Sequence, residues 1–180
     1  TRLKATVDSA QHYIVMNPED YRGYLSLATT YSFLASLGVQ NAYENAKQVY
    51  QVAAKHNTMN PAIPLAEARL EVANKNLKGA ESPVLQALTL KPDYTDAILF
   101  VVQLDVANKD LPSATRAAQA AVQSAPGVAS IWFELGLLYY TQGDMADATT
   151  ALEKAIKIQS DYANAKYFLG LSYAAQGRTP

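Results

Sequence analysis

The stretch VANKNLKGA at Val72–Ala80 returns as VANKDLPSA at Val106–Ala114, with six of nine residues the same and a displacement of 34. Sliding the whole chain by 34 extends the agreement. Ala80, Ala114 and Ala148 coincide, as do Ala87, Ala121 and Ala155, and Pro92 falls on Pro126. Leu135, Gly136, Tyr139, Gln142 and Gly143 fall on Leu169, Gly170, Tyr173, Gln176 and Gly177. A fixed period of this length signals stacked supersecondary units, each of which completes its core on its neighbours.

Within a period the apolar spacing is helical. Trp132, Leu135, Gly136 and Tyr139 mark one face of a helix, and Met145, Ala148, Leu152, Ala155 and Ile156 mark one face of the next. Gly143 suits the end of the first helix and Asp144 the N-cap of the second. Each unit therefore reads as a helical hairpin, and the chain as all-α. The recurring alanines thin the helices where they cross, and Trp132 and Tyr139 fill the space beside Gly136. If Trp132 is buried, truncation to Ala is expected to cost ~3–5 kcal/mol.

Composition narrows the function. The 180 residues carry a net charge of −1, and only 17% are charged. A nucleic-acid surface normally needs a basic excess, so none is expected. There is no cysteine, hence no thiolate or disulfide chemistry. The longest clear apolar run, AILFVV at 97–102, is far short of a ~20-residue span, so direct membrane insertion is not expected. The compartment is not readable. No Gly-rich phosphate loop, H-E-x-x-H or nucleophile elbow occurs, so no cofactor, metal or catalytic residue is assigned and the chain reads as non-enzymatic. His12 and His56 read as structural or surface residues. Glu67 and Glu71 are i,i+4 carboxylates that read as a solvated helix face beside Arg69, although they cast doubt on the packing of their helix.

The pattern Trp132-x2-Leu135-Gly136-x2-Tyr139, followed by Ala148-x3-Leu152 and punctuated by Pro92 and Pro126, resembles the tetratricopeptide repeat. The resemblance implies an α-α superhelix, or solenoid, over nearly the whole chain. It divides as a second helix of a partial repeat (1–20), a repeat with six extra residues (21–60), three repeats of 34 residues (61–94, irregular at Pro64, Glu67 and Glu71, then 95–128 and 129–162) and a lone first helix (163–180). The extra six lie between Tyr31 and Ala46. They predict a first helix lengthened toward Leu37, stopped near Gly38, and a second starting near Tyr43. They are either a tolerated change of turn length or a protruding contact site. Pro83 is either tolerated early in its helix or delays its start.

In this family the first helix of each repeat lines a concave groove, which implies a protein or peptide ligand. The stripe beside the packing face assigns Arg22, Leu25, Thr29 and Ser32, then Leu65, Arg69 and Val72, then Asp96, Leu99, Gln103 and Val106. Phe133, Leu137 and Tyr140 follow, and Asn164, Tyr167 and Leu171 close the series. One row of it, Leu25, Leu65, Leu99, Phe133 and Tyr167, is apolar throughout. That suits a groove for apolar partner side chains, or equally a row that buries against the next unit. Relatives that hold chaperone C-terminal carboxylates use a Lys/Asn/Arg clamp, and Leu25 and Thr29 stand where its Lys and Asn would be, so that role is not expected. An alternative is assembly by end-to-end stacking, with self-association through the uncovered helix 163–180. Single-stranded RNA reading is disfavoured by the charge. The stretches NPEDYRGYLSLATTY, LKPDYTDAI and YANAKYFLGLSYAAQGRTP further resemble the C-terminal tetratricopeptide arrays of bacterial O-antigen-ligase-like membrane proteins. That implies an accessory domain in envelope glycan assembly.

Overall fold

A computed structural model describes residues 2–178 and contains, among them, ten α-helices and no strand. The helices are α1 (Arg2–Met16), α2 (Tyr21–Ser36), α3 (Ala42–His56), α4 (Ala62–Ala73), α5 (Leu77–Leu90), α6 (Thr95–Ala107), α7 (Leu111–Ser124), α8 (Ala129–Gln142), α9 (Met145–Ile158) and α10 (Ala163–Ala175). They form two compact units, residues 1–94 and residues 95–180.

The 34-residue period is written into the backbone. Asn41, Lys75, Lys109, Gly143 and Gly177 lie 34 apart and all adopt positive φ, at 61°, 62°, 62°, 86° and 68°. Each sits in the tight turn that reverses the chain, or in the equivalent position after α10. Only glycine takes this conformation without a Cβ penalty. Lys75 and Lys109 therefore hold strained turns that Gly143 and Gly177 hold freely. Replacing Lys109 by Gly should stabilise the second unit by about 0.5–1 kcal/mol, after allowing for the greater freedom of glycine in the unfolded chain. Denaturant titration checks it, and a loss of stability would show that the Lys109 side chain contributes more than its backbone costs.

The six extra residues precede Asn41. α2 runs on to Ser36, Leu37 caps it, and Gly38 turns out of it at φ 75°. Gly38 N–H donates to Ala35 O at 2.9 Å and Val39 N–H to Leu34 O at 3.0 Å, satisfying carbonyls that the helix end leaves open. Pro83 does not delay its helix, because α5 already begins at Leu77, after the Asn76 side chain accepts from Gly79 N–H. Asp110 caps α7 the same way, taking the Ser113 N–H at 3.0 Å. Asp144 departs from expectation. It holds the N-cap position of α9 but makes no capping hydrogen bond through its side chain.

In the first unit α2 packs on α1, α3 and α4, α3 packs on α4, and α4 on α5. In the second, α6 packs on α7 and α8, α7 on α8, and α8 and α9 on each other and on α10. The small residues sit at these crossings. Ala46, Ala53, Ala80, Ala87, Ala114, Ala121, Ala148 and Ala155 are all at most 4% exposed. Gly136 takes the same logic further, since a Cβ there would lie 2.7 Å from Leu152 Cγ. Trp132 is only partly buried. It packs against the cores on both sides of α8 and donates its indole N–H to Pro126 O at 2.9 Å. The full-burial cost expected for its truncation therefore does not apply.

Glu71 overturns its reading as part of a solvated face. It is 2% exposed. Its carboxylate accepts from Tyr43 OH (2.9 and 3.0 Å), Lys47 Nζ (2.9 Å) and Asn76 Nδ2 (2.7 Å). Burial pushes its pKa up, but the hydrogen bonds from Lys47, Tyr43 and Asn76 outweigh burial and hold it below the usual glutamate value. Gly79 makes the room, because a Cβ there would stand 2.8 Å from Glu71 Oε2 and 2.1 Å from Asn76 Nδ2. Glu71 occupies the register position of Tyr139 and Tyr173, and a carboxylate fits there only because α3 brings it a cation.

Candidate functional site

Two first helices of the second unit, α8 and α10, are held on their neighbours by hydrogen bonds that repeat with the sequence. Gln142 Nε2 donates to Thr115 Oγ1 and Gln176 Nε2 to Thr149 Oγ1, each at 2.7 Å. Three residues before each glutamine stands a tyrosine, Tyr139 and Tyr173. Tyr139 OH accepts from Gln119 Nε2 at 2.7 Å, and Tyr173 OH donates to Glu153 Oε1. These bonds tie α8 to α7 and α10 to α9, so the free stripes of α8 and α10 are set rigidly.

The assigned groove residues fall into several environments. In the first unit Arg22 is exposed, but Asp20 grips its guanidinium, with Nε–Oδ1 at 2.9 Å and Nη2–Oδ2 at 2.7 Å. Hydrogen bonds from Arg22 and Tyr13 hold the Asp20 carboxyl well below the usual range. Thr29 is exposed and donates to Leu25 O. Ser32 lies within 3.1 Å of Tyr50 OH. Leu25 and Val72 are half-buried and Arg69 is exposed. Leu65, at 1% exposure, is interior.

In the second unit Asp96, Gln103, Asn164 and Tyr167 are exposed, and Leu99, Leu137, Tyr140 and Leu171 are half-buried. Phe133 is 8% exposed, with its ring 5.0 Å from Tyr162 and 6.0 Å from Phe168. The apolar row is thus not one surface. Leu65 and Phe133 are buried rather than open on a groove, and Phe133 is covered by Tyr162 and Phe168 at the start of the following hairpin. Tyr167, 64% exposed, stands at the other extreme. Its ring meets Phe168 edge-on at 5.4 Å, and Tyr140 meets the same ring at 5.5 Å. Tyr140, Phe168 and Tyr167 make a continuous aromatic ledge.

Beside it α6, α7 and α8 enclose a cavity of about 190 Å³. Gln103 and Val106 of α6 and Leu137 of α8, all on the assigned stripe, form its rim with Thr141. Val102, Leu111 and Leu138 line it more deeply, and Glu134 supplies its one ionisable side chain. Glu134 is missing from the sequence assignment. Its signal was there in composition, as the only charged residue of α8 (ASIWFELGLLYYTQ). Desolvation raises its pKa above the usual glutamate value. Among the described residues no group of three or more His, Cys, Asp or Glu could hold a metal ion, and no helix is long and apolar enough to cross a membrane.

Residues 102–163, from the cavity wall to the start of α10, match the sequence profile of the tetratricopeptide repeat family. That segment carries the tetratricopeptide repeat signature. Solved tetratricopeptide structures share the fold. YrrB, described as a tetratricopeptide protein with an unusual peptide-binding site, is 20% identical with a TM-score of 0.62, over 95% of this chain and 85% of YrrB. MamA is 16% identical with a TM-score of 0.68, over 89% of this chain and 91% of its own. A thermophilic tetratricopeptide protein of Thermus thermophilus is 16% identical with a TM-score of 0.68, over 96% and 91%. No curated protein sequence matches the chain. Tetratricopeptide repeats are in general protein-interaction scaffolds rather than catalysts.

Proposed function

We propose that this tetratricopeptide array is a non-catalytic scaffold that binds a segment of a partner protein along the first-helix stripe of its second unit. The observation that carries the reading is the cavity between α6 and α8, whose rim residues Gln103, Val106 and Leu137 all belong to the stripe. Val106 is 42% exposed and Tyr167 64%, although both are apolar enough to be covered at no cost. Few apolar side chains at an interface carry most of the binding energy, and they do so where a partner side chain enters a pocket. The cavity would take one side chain while the aromatic ledge supports the chain beside it.

A phage-displayed random peptide library selected on the immobilised protein tests this. Enriched peptides should bind the wild type and lose at least about tenfold in affinity to a Val106→Glu/Tyr167→Asp double variant. Both positions are exposed, so helicity by circular dichroism should be unchanged. Failure to enrich any peptide, or equal binding by the folded double variant, would overturn the reading.

A further inference from the structure

We propose that the cavity between α6 and α8 is a subsite for a basic side chain, and that the partner segment presents an arginine or lysine there. The inference rests on the groove reading above and specifies its ligand. The cavity is too small for a cofactor: drug-sized ligands fill ~300–1,000 Å³, whereas about 190 Å³ suits a single side chain. Its walls are largely aliphatic, from Val102, Val106, Leu137 and Leu138, and Glu134 is the one acidic residue lining it. A long basic side chain has the matching layout, an aliphatic stem with a charge at its tip.

Among the described residues Glu134 makes no ion pair and takes no hydrogen bond. The neighbour with which it interacts electrostatically is Tyr162, a phenol that is neutral at pH 7. Desolvation alone raises its pKa. Elsewhere the same chain shows how it satisfies a desolvated carboxylate. Glu71 receives the Lys47 ammonium at 2.9 Å, and that ammonium lies 5.7 Å from the Tyr43 ring centroid. At Glu134 that cation is missing from the fold and would come from the ligand. Apolar occupants would fill the walls but leave the carboxylate desolvated and unpaired, which is costly.

The probe is the set of peptides enriched from the random library, resynthesised with the residue under test as Arg, Lys, norleucine or Glu. Enriched sequences should share one basic position. Its change to norleucine, and separately Glu134→Gln in the protein, should each weaken binding about tenfold or more, and the two together no further than either alone. Glu134→Lys should reverse the preference toward the Glu peptide. Circular dichroism of both variants confirms that they fold, and Glu134→Gln keeps the side-chain volume. Peptides that bind Val106- and Tyr167-dependently, yet share no basic residue and ignore Glu134→Gln, would overturn this proposal while leaving the groove reading intact. If no peptide binds at all, both fall.

Discussion

Replacing Lys47 by Met should destabilise the first unit by about 2–3 kcal/mol at pH 7. Removing one partner of a buried pair strands the other charge, at ~3–5 kcal/mol when both are fully buried. The lower figure reflects Lys47, whose side chain is 36% exposed while that of Glu71 is 3%. Tyr43 and Asn76 would still bond the carboxylate, but no cation would offset its desolvation. The effect depends on pH with a definite sign. In the native protein the Glu71 pKa lies below its ordinary 4.5, so its stabilising contribution is complete above that value and is lost as pH falls through the depressed one. In the variant, burial dominates and the pKa rises above 4.5. The gap between native protein and variant should therefore be widest near neutrality and narrow toward pH 4. The double variant Lys47→Met/Glu71→Leu should recover most of the loss, because an apolar pair of similar volume satisfies the same seam. Denaturant titrations at pH 7 and pH 4 read all of this. A loss below about 0.5 kcal/mol at pH 7 would mean that the network does not hold α4 on α3.

Leu152→Ala should cost the second unit about 3–4 kcal/mol, within the range for a fully buried leucine. Leu152 is 0% exposed and closes the seam between α8 and α9 against Gly136, Phe133 and Ala155. The more informative result is its coupling to Gly136. Alone, Gly136→Ala drives a methyl to 2.7 Å from Leu152 Cγ and 2.9 Å from Cδ2, so overpacking should offset or exceed the ~1 kcal/mol helix-propensity gain. With Leu152 cut to Ala those two atoms are gone, leaving the Leu152 backbone N at 3.3 Å as the close contact. The added methyl then fills part of the cavity, and the double variant should be more stable than Leu152→Ala by about 1 kcal/mol. A double-mutant cycle followed by circular dichroism measures it, and strict additivity would show that the helices shift apart instead of repacking.

The assigned first-helix stripe shows where interactions between near neighbours in sequence stop deciding the outcome. The 34-residue period, the hairpins, the crossing alanines and the lengthened α2 were legible because they depend on neighbours a few residues away. A helical face repeats every few positions, and a tight turn needs its left-handed residue at one place. Even the cost of using Lys at that place is local. The environments of equivalent residues were not legible in this way. Leu65 and Tyr167 hold the same register yet differ from 1% to 64% exposed, because one is covered by neighbouring helices and the other is not.

The same limit governs the two glutamates that matter most. The sequence by itself determined an all-α chain of repeated hairpins with its small residues at the crossings. Only the tertiary structure decided that Glu71 meets Lys47 and Tyr43, 24 and 28 residues earlier in the chain, and that Glu134 lines a cavity with no cation beside it. Secondary structure follows from interactions within a turn or two of helix. The burial and charge state of a side chain follow from which distant segment packs over it, and that becomes definite only when the helices are in place.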